Sequence, residues 1–177
     1  SIGGVQALFL YPLNALIESQ GDRFRKFCAT FNQWCRERDV ADRVHFANYT
    51  GKMEETFDDA IKSIRENLQN IEPNVSERQL RDRYAYSSYD EIISRDILRS
   101  NPPQFLITNS TMLEYAMVRK QDAPLFRNAN GRSPLKFIVL DEAHTYSGSN
   151  AAELALRLRR VLEAFGTTPD QVQFIAT

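Results

Sequence analysis

The chain has 177 residues, 42% of them hydrophobic and 25% charged, with a formal net charge of −1. These values exclude a disordered or fibrous protein and predict a globular domain of ordinary size, long enough to bury a core. The near-neutral charge supplies no overall attraction to phosphate, so any nucleic-acid surface must come from local clustering.

The cysteine and histidine content argues against disulfides and zinc. Cys28 and Cys35 lie in a predicted helix, which separates their backbones by roughly 10 Å, too far for a disulfide. His45 and His144 are the only histidines, and no cysteine pair has the spacing of zinc ligands. Since no apolar stretch approaches membrane-spanning length, the sequence predicts a reduced, cytoplasmic protein without a membrane partner.

Strand-like and helix-like segments alternate along the chain. Apolar runs predict strands over residues 5–11, 43–49, 104–108, 137–140 and 172–176. Helical patterning predicts a helix that begins at Pro12 and others over residues 56–68, 91–99, 111–119 and 150–165, with a polar loop over 120–134. This alternation predicts an α/β fold in which a mostly parallel sheet has helices on both faces.

Two helical segments have distinctive surfaces. The first helix carries a stripe of large side chains at helical spacing, which predicts a core face. Its members are Phe24, Phe27, Cys28, Phe31, Trp34 and Cys35. Residues 52–90 are strongly charged, and we interpret them as a helical insertion. Within it, basic residues alternate with tyrosines that could stack bases, but a partly exposed helix and loop is the favoured interpretation. These residues are Arg81, Arg83, Tyr84, Tyr86 and Tyr89.

The strongest motif is an apolar run that ends in charged residues. Residues 137–140 are four consecutive large apolar side chains, typical of a strand buried on both faces. Asp141, Glu142 and His144 follow it. In open α/β sheets phosphate-bearing ligands dock at the carboxyl edge, and adjacent acids there suit a Mg²⁺-nucleotide site. The alternative is a strand that simply runs into a polar turn.

Polar segments follow the other strands as well, so four such segments are expected at one edge of the sheet. They are Pro12-Leu13-Asn14, Thr50-Gly51, Thr108-Asn109-Ser110 and Asp141-Glu142-Ala143-His144. In this order they resemble conserved motifs, among them Ia, Ib and II, of the first RecA-like domain of superfamily 2 helicases of the DEAD/DEAH-box class. The surrounding sequence is similar to large bacterial DEAD/DEAH helicases, including Hrq-like and Mrf-type DNA helicases and the large helicases of Druantia-like phage-defence systems.

The resemblance implies a role for each residue. Asp141, with Glu142 beside it, would hold Mg²⁺ through water, and Glu142 would activate the water that attacks the γ-phosphate of ATP. His144 would couple nucleotide state to a second RecA-like domain of the same parent chain. Single-stranded nucleic acid, DNA in preference to RNA, would bind Pro12, Leu13, Asn14, Thr50, Gly51, Thr108, Asn109 and Ser110. The simpler alternatives are helix capping by Asn109 and Ser110, a plain turn at Thr50-Gly51 and a structural histidine.

Two elements of the helicase pattern are missing from the sequence. The chain has no G-x-x-x-x-G-K-[ST] phosphate loop, which we expect to precede Ser1, and residues 174–177 stand where motif III would begin. We therefore expect residues 1–177 to be a partial RecA-like domain of P-loop NTPase type, nearly inactive alone. Two rival functions stay open: a non-catalytic α/β interaction domain derived from a helicase, and, less favoured, a metal-dependent nuclease with Asp141 and Glu142 as ligands.

Overall fold

Five parallel strands form the centre of the molecule. The computed structural model describes residues 4–41, 43–85, 90–127, 131, 133–145 and 148–177. The strands are β1 (Ala7–Leu10), β2 (Phe46–Tyr49), β3 (Phe105–Thr108), β4 (Phe137–Leu140) and β5 (Gln173–Ala176). Their order in the sheet is β2-β3-β1-β4-β5, and every neighbouring pair is parallel. The predicted α/β fold with a parallel sheet is confirmed.

Helices join the strands and cover both faces of the sheet. They are α1 (Asn14–Glu37), α2 (Phe57–Leu68), α3 (Glu77–Tyr84), α4 (Arg95–Ser100), α5 (Ser110–Val118) and α6 (Ser149–Phe165), with 3-10 turns at Lys120–Leu125, Ala143–Thr145 and Pro169–Gln171. Because strand side chains alternate between faces, β1 sends Leu8 and Leu10 into one apolar cluster and Phe9 towards the other. The first cluster includes Leu113 of α5 and Phe165 of α6, and the second lies under α1. Within the described residues, no helix is both long and apolar enough to span a membrane.

The core face of α1 differs from the predicted one. Cys28 and Cys35 are buried, as expected, and both are free thiols. Phe27, Phe31 and Trp34 are instead 54%, 37% and 46% exposed and stack in a row along the helix, with the Phe27 ring 6.1 Å from the Phe105 ring of β3. The prediction that these three aromatic residues belong to the core is therefore wrong.

Small and polar residues occupy part of the buried face of α1. Gly21 packs against Asn48 so closely that a Cβ at this position would lie 2.7 Å from the Asn48 Nδ2 atom. Asn32 is fully buried, and its side chain donates to the Val44 carbonyl at 2.7 Å and accepts from the Val44 N–H at 2.9 Å. Since these polar atoms have partners, burying them carries little penalty.

The helix predicted over residues 91–99 begins only at Arg95. The segment before it runs beside the edge strand β2: the Phe46 N–H donates to the Asp90 carbonyl at 2.9 Å, and the Ile92 N–H donates to the Phe46 carbonyl at 2.8 Å. Backbone pairing with a strand that is remote in sequence thus replaces the first turn of the predicted helix.

The loop predicted over residues 120–134 is partly a core element. Its first six residues form the 3-10 turn Lys120–Leu125, in which Asp122 and Leu125 are fully buried. The Phe126 ring meets the Phe165 ring edge-on, with 5.1 Å between centroids. This segment therefore closes the core beneath α6 instead of lying on the surface.

The two helices of the 52–90 segment begin where the local sequence supplies a cap. The Thr56 side chain accepts from the Asp59 N–H at the start of α2, which was predicted at this position. Ser76 and Gln79 form a reciprocal capping box at the start of α3. Such caps each stabilise a helix by about 1 kcal/mol, so both helices are specified locally.

Arg81 of α3 has a structural role in this segment. Its guanidinium lies 2.5 Å from an Asp58 carboxylate oxygen and 2.8 Å from a Glu77 carboxylate oxygen. These contacts tie α3 to α2 and favour the interpretation of a partly exposed helical stretch. Tyr86 and Tyr89, the tyrosines considered for base stacking, lie outside the described residues.

The two edges of the sheet are covered differently. Residues 90–92 run alongside β2, whereas β5 pairs only with β4 in the part of the chain that the structure describes. All four residues of β5 are exposed, including Phe174 at 40% and Ile175 at 37%. Since successive side chains of a strand point to opposite faces, β5 presents an apolar residue on each side of the sheet.

Candidate functional site

The four polar segments meet at one edge of the sheet. In the strand register, Thr108 of β3 lies between Tyr49 of β2 and Leu10 of β1, and Leu10 lies beside Leu140 of β4. The residues that follow these strands therefore lie at neighbouring strand ends, all at the carboxyl edge. Asp141 shares this edge with the segment after β1, because its N–H donates to the Leu10 carbonyl at 3.1 Å.

The Asp141 carboxylate is oriented by the end of the neighbouring strand. Its Oδ1 atom accepts a hydrogen bond from the Thr177 hydroxyl at 2.8 Å. The Thr177 N–H donates to the Leu140 carbonyl at 3.0 Å, and its own carbonyl accepts from the Ala143 N–H at 2.9 Å. Thr177 thus joins both the side chain and the backbone of the acidic turn to β5.

Glu142 has an unusual backbone conformation. Its φ is 54°, in the left-handed region that non-glycine residues avoid at a cost of about 1–2 kcal/mol. The conformation turns the chain into the 3-10 turn Ala143–Thr145, where the Thr145 N–H donates to the Glu142 carbonyl at 2.9 Å. The Glu142 carboxylate is half exposed and lies 3.4 Å from the His144 Nε2 atom. Backbone strain of this kind is concentrated at functional sites, where the surrounding structure maintains it.

Two adjacent carboxylates suit Mg²⁺, which keeps several water ligands, better than a metal ion whose ligands all come from the protein. Among the described residues, no group of three or more histidine, cysteine or acidic side chains is arranged to hold a metal ion. Mg²⁺ is commonly held by one or two carboxylates, with waters and substrate phosphates completing its shell. Asp141 and Glu142 fit that donor set, with Asp141 kept in place by Thr177. The residues of this chain fit the metal; the sequence contains no phosphate loop that would cradle the nucleotide.

The segments after β1 and β3 are joined by a direct hydrogen bond. Asn109 Nδ2 donates to Asn14 Oδ1 at 2.6 Å, so the beginnings of α1 and α5 lie together. Asn109 also caps α5, because its Oδ1 accepts from the Met112 N–H at 2.8 Å. The simpler capping role is thus confirmed for Asn109, whereas Ser110 is already the first helical residue.

Pro12 and Leu13 lie just before α1, which begins two residues later than predicted. Pro12 is exposed, and Leu13 is 62% exposed. Leu13 is extended and occupies the N-cap position of α1 without a capping side-chain bond. This leaves the first N–H groups of α1, like those of α5, at the shared edge.

The turn after β2 joins the same edge through β3. The Thr108 hydroxyl donates to the Tyr49 carbonyl at 2.7 Å inside the protein. Thr50 is buried, and its hydroxyl accepts from the Lys52 N–H at 3.3 Å, as in the simple turn considered from the sequence. A Cβ placed on Gly51 would meet no atom within 4 Å, so the surface above this turn is open.

Sequence reasoning did not single out two residues at this edge. In the sequence, Thr177 is recognisable only as the last residue of the segment 174–177. Its hydrogen bond to Asp141 exists because β5 lies next to β4 in the sheet, which the sequence pattern does not specify. Tyr11 follows β1, and burial together with the Asp141 charge raises the pKa of its hydroxyl. No local pattern announces either contact, because both depend on strands that are distant in sequence.

Comparisons with known proteins agree with this fold. No family model matches the sequence. The sequence is similar to Druantia protein DruE of Escherichia coli (strain UMEA 4076-1), with 23% identity over an alignment 235 residues long that covers the whole chain and 13% of DruE. The fold is similar to that of Mycobacterium smegmatis helicase Lhr, whose structure was solved bound to ssDNA and AMP-PNP. The TM-score is 0.58 at 18% identity, over 98% of this chain and 17% of Lhr.

The chain has a RecA-like fold. The DUF1998 helicase MrfA, solved bound to DNA and AMPPNP, aligns with 98% of the chain at 21% identity, with a TM-score of 0.48. The chain spans less than a fifth of the length of these proteins, 13% of DruE and 17% of Lhr. The predicted fold class and the resemblance to helicases are confirmed.

Proposed function

We propose that this chain is part of the motor of an ATP-dependent helicase or translocase of the superfamily 2 DEAD/DEAH-box class. The observation that carries the proposal is that four polar segments, each predicted from a different part of the sequence, lie at adjacent strand ends. The fold shared with Lhr supports it. The complete activity requires a phosphate loop and a second RecA-like domain, which we assign to a longer parent polypeptide.

In this proposal Asp141 and Glu142 serve the nucleotide. Asp141 holds Mg²⁺ through water, and the metal, when bound, neutralises charge on the phosphates of ATP. Glu142 orients the attacking water and takes its proton, a task for which its carboxylate is accessible. His144, beside Glu142, links the nucleotide site to the second motor domain.

The nucleic-acid strand lies across the ends of β1, β3 and β2. The first turns of α1 and α5 and the open turn at Gly51 offer backbone N–H groups to its phosphates. Such contacts hold a strand without reading its sequence. Because Lhr was solved bound to ssDNA, we propose single-stranded DNA as the preferred ligand.

The strand path can be tested with the 177-residue chain and a fluorescent oligothymidylate. In this path the Asn14 Nδ2 also donates to a phosphate of the strand, beside the backbone N–H groups, and Asn14→Ala removes that donor. A hydrogen bond to a charged group contributes about 1.5–3 kcal/mol, so we expect a loss of affinity of about tenfold or more. Gln33→Ala is the matched control, since Gln33 is exposed on the same helix roughly 28 Å further along. Fluorescence anisotropy gives both affinities. Equal binding by the two variants, or no binding by the wild-type chain, contradicts the proposed path, and RNA of the same length tests the preference for DNA.

The nucleotide role can be tested in the parent polypeptide. Glu142→Gln should leave ATP binding intact while reducing turnover by at least about 100-fold, the contribution typical of a positioned general base. Glu163→Gln, an identical change at an exposed position of α6, is the control. Turnover measured by phosphate release should be unchanged in the control. Wild-type turnover in Glu142→Gln would remove Glu142 from the catalytic role.

A further inference from the structure

Arg95, the first residue of α4, is a buried cation bonded to the turn after β2. It is only 7% exposed. Its Nη2 donates to the Thr50 carbonyl at 3.1 Å, and its Nε donates to the Met53 carbonyl at 3.0 Å. The guanidinium also lies over the Tyr49 ring, 5.3 Å from the ring centroid. One side chain therefore holds both ends of the turn that contains Gly51.

The two hydrogen bonds that the Thr50 carbonyl accepts, from Arg95 and from the Met53 N–H, determine where the next N–H points. In a planar trans peptide the carbonyl and the following N–H point in opposite directions. The Met53 N–H donates to the Thr50 carbonyl across the turn at 3.2 Å, and Arg95 adds a second bond from inside the protein, so the Gly51 N–H of the same peptide is directed outwards. The space above Gly51 is open, since a Cβ there would meet no atom within 4 Å. The turn thus presents a backbone donor at the edge where we place the strand.

The choice of arginine at this position is costly for stability. The nearest carboxylate, that of Glu55, is 57% exposed and lies 3.9 Å away. The Arg95 charge is therefore stabilised mainly by the backbone carbonyl oxygens to which it donates. An apolar side chain of similar size would fill the same space without desolvating a charge. Lysine would supply a point charge, whereas the planar arginine fork fixes two donor directions at once. What the fork specifically provides is the orientation of the turn.

We propose that Arg95 is a positioning residue for nucleic-acid binding, which aims the Gly51 N–H at a phosphate of the strand. This inference rests on the proposed function and deepens it. The segment between β2 and α4 then has a function of its own, because it brings the chain back to β2 and places Arg95 next to the turn after that strand. Arg95 itself does not touch the strand; it acts through Gly51.

The test is a double-mutant cycle on ssDNA affinity, measured by anisotropy with the same oligothymidylate. Arg95→Met and Gly51→Ala should each lower affinity about tenfold, the first by releasing the turn and the second by placing a methyl group beside the donor. Since both act on one contact, the double variant should bind no more weakly than either single variant, within about twofold. Arg95→Lys should not restore affinity, because it keeps the charge and loses the fork.

A stability control separates positioning from general destabilisation. Val161→Ala removes buried volume from α6, which carries none of the proposed strand contacts, and should lower the urea midpoint while leaving ssDNA affinity unchanged. Wild-type affinity in Arg95→Met, or losses that multiply to about 100-fold in the double variant, overturns the inference alone. No ssDNA binding by the wild-type chain overturns the proposed function as well. If Arg95→Met does not fold, Arg95→Lys carries the same cycle, and wild-type affinity in that variant is then the overturning result.

Discussion

The buried carboxylate of Asp122 should be among the most sensitive positions for stability. Asp122 is fully buried and accepts hydrogen bonds from the Tyr49 hydroxyl at 2.9 Å and from Arg99 Nε at 2.7 Å. Burial opposes the charged form of Arg99, but its hydrogen bonds to Glu55 and Asp122 outweigh burial and raise the pKa of the guanidinium. Arg99 therefore keeps its charge inside the protein, where it depends on the two carboxylates that it contacts.

Asp122→Asn keeps the size of the side chain and removes its charge. Breaking one partner of a buried ion pair costs about 3–5 kcal/mol. Arg99 retains the Glu55 carboxylate, which is 57% exposed, so we expect a loss near the lower limit, about 3 kcal/mol. A domain of this size is stable by only about 5–15 kcal/mol, so the change is a large fraction of the total.

Urea unfolding followed by circular dichroism measures this loss. With a slope of about 2 kcal/mol per molar urea, the midpoint should fall by about 1.5 M. The control is Asp58→Asn, the same change in an exposed carboxylate that contacts Arg81 at 2.5 Å, and its midpoint should not move measurably. A midpoint shift below about 0.5 M in Asp122→Asn would refute the view that Arg99 depends on this buried charge.

Three further predictions follow from buried groups. Burial and the hydrogen bond to Asp122 raise the pKa of Tyr49 from 10.0 to about 12, so folded Tyr49 keeps its proton in a window where the unfolded chain loses it. Stability should therefore fall as pH rises through this window, by about 1.4 kcal/mol per pH unit, and urea midpoints of Tyr49→Phe should lose that dependence. Gly21→Ala should lower the urea midpoint despite the better helix propensity of alanine, because its Cβ would meet Asn48 Nδ2 at 2.7 Å; Gly51→Ala, with open space around it, should not. Burial, with the nearby charges of Asp90 and Glu91, raises the pKa of the Cys28 thiol to about 12, so mass spectrometry should find Cys28 unmodified by iodoacetamide until urea unfolds the chain.

Strand β4 and the acidic residues that follow it show how much of the fold a sequence pattern can predict. Residues 137–140 are apolar at four successive positions and form β4, an inner strand of the sheet, as the pattern predicts. Only Ile138 and Leu140 are buried, whereas Phe137 is 40% exposed, so the prediction that this strand is buried on both faces is wrong for the face that carries Phe137. Once parallel connections were assumed, the meeting of four strand ends followed from the order of the segments. The roles assigned to Asp141, Glu142 and His144 stay predictions.

The other sequence predictions that proved wrong concern the core face of α1, the start of α4 and the loop after α5, and they share one physical cause. Phe27 and Trp34 repeat at the same period as the residues buried beside them, so periodicity could not decide which stripe of α1 faces the sheet. Residues 90–92 pair with β2, more than forty positions earlier, and Asp122 is buried because Tyr49 and Arg99 reach it from other elements. Contacts between segments remote in sequence leave no trace in a local pattern.

The exposed edge strand β5 has a practical consequence for handling the protein. Among the residues that the structure describes, no strand pairs with the outer side of β5, and its Phe174 and Ile175 are exposed. Such an edge is a template on which a second molecule can add its own strand. Native proteins often prevent such pairing with lysine, proline or a β-bulge in the edge strand. The sequence of β5, Gln-Phe-Ile-Ala, contains neither lysine nor proline. Preparations of the 177-residue chain should accordingly associate as they are concentrated, and a lysine in place of Ile175 should keep them dispersed.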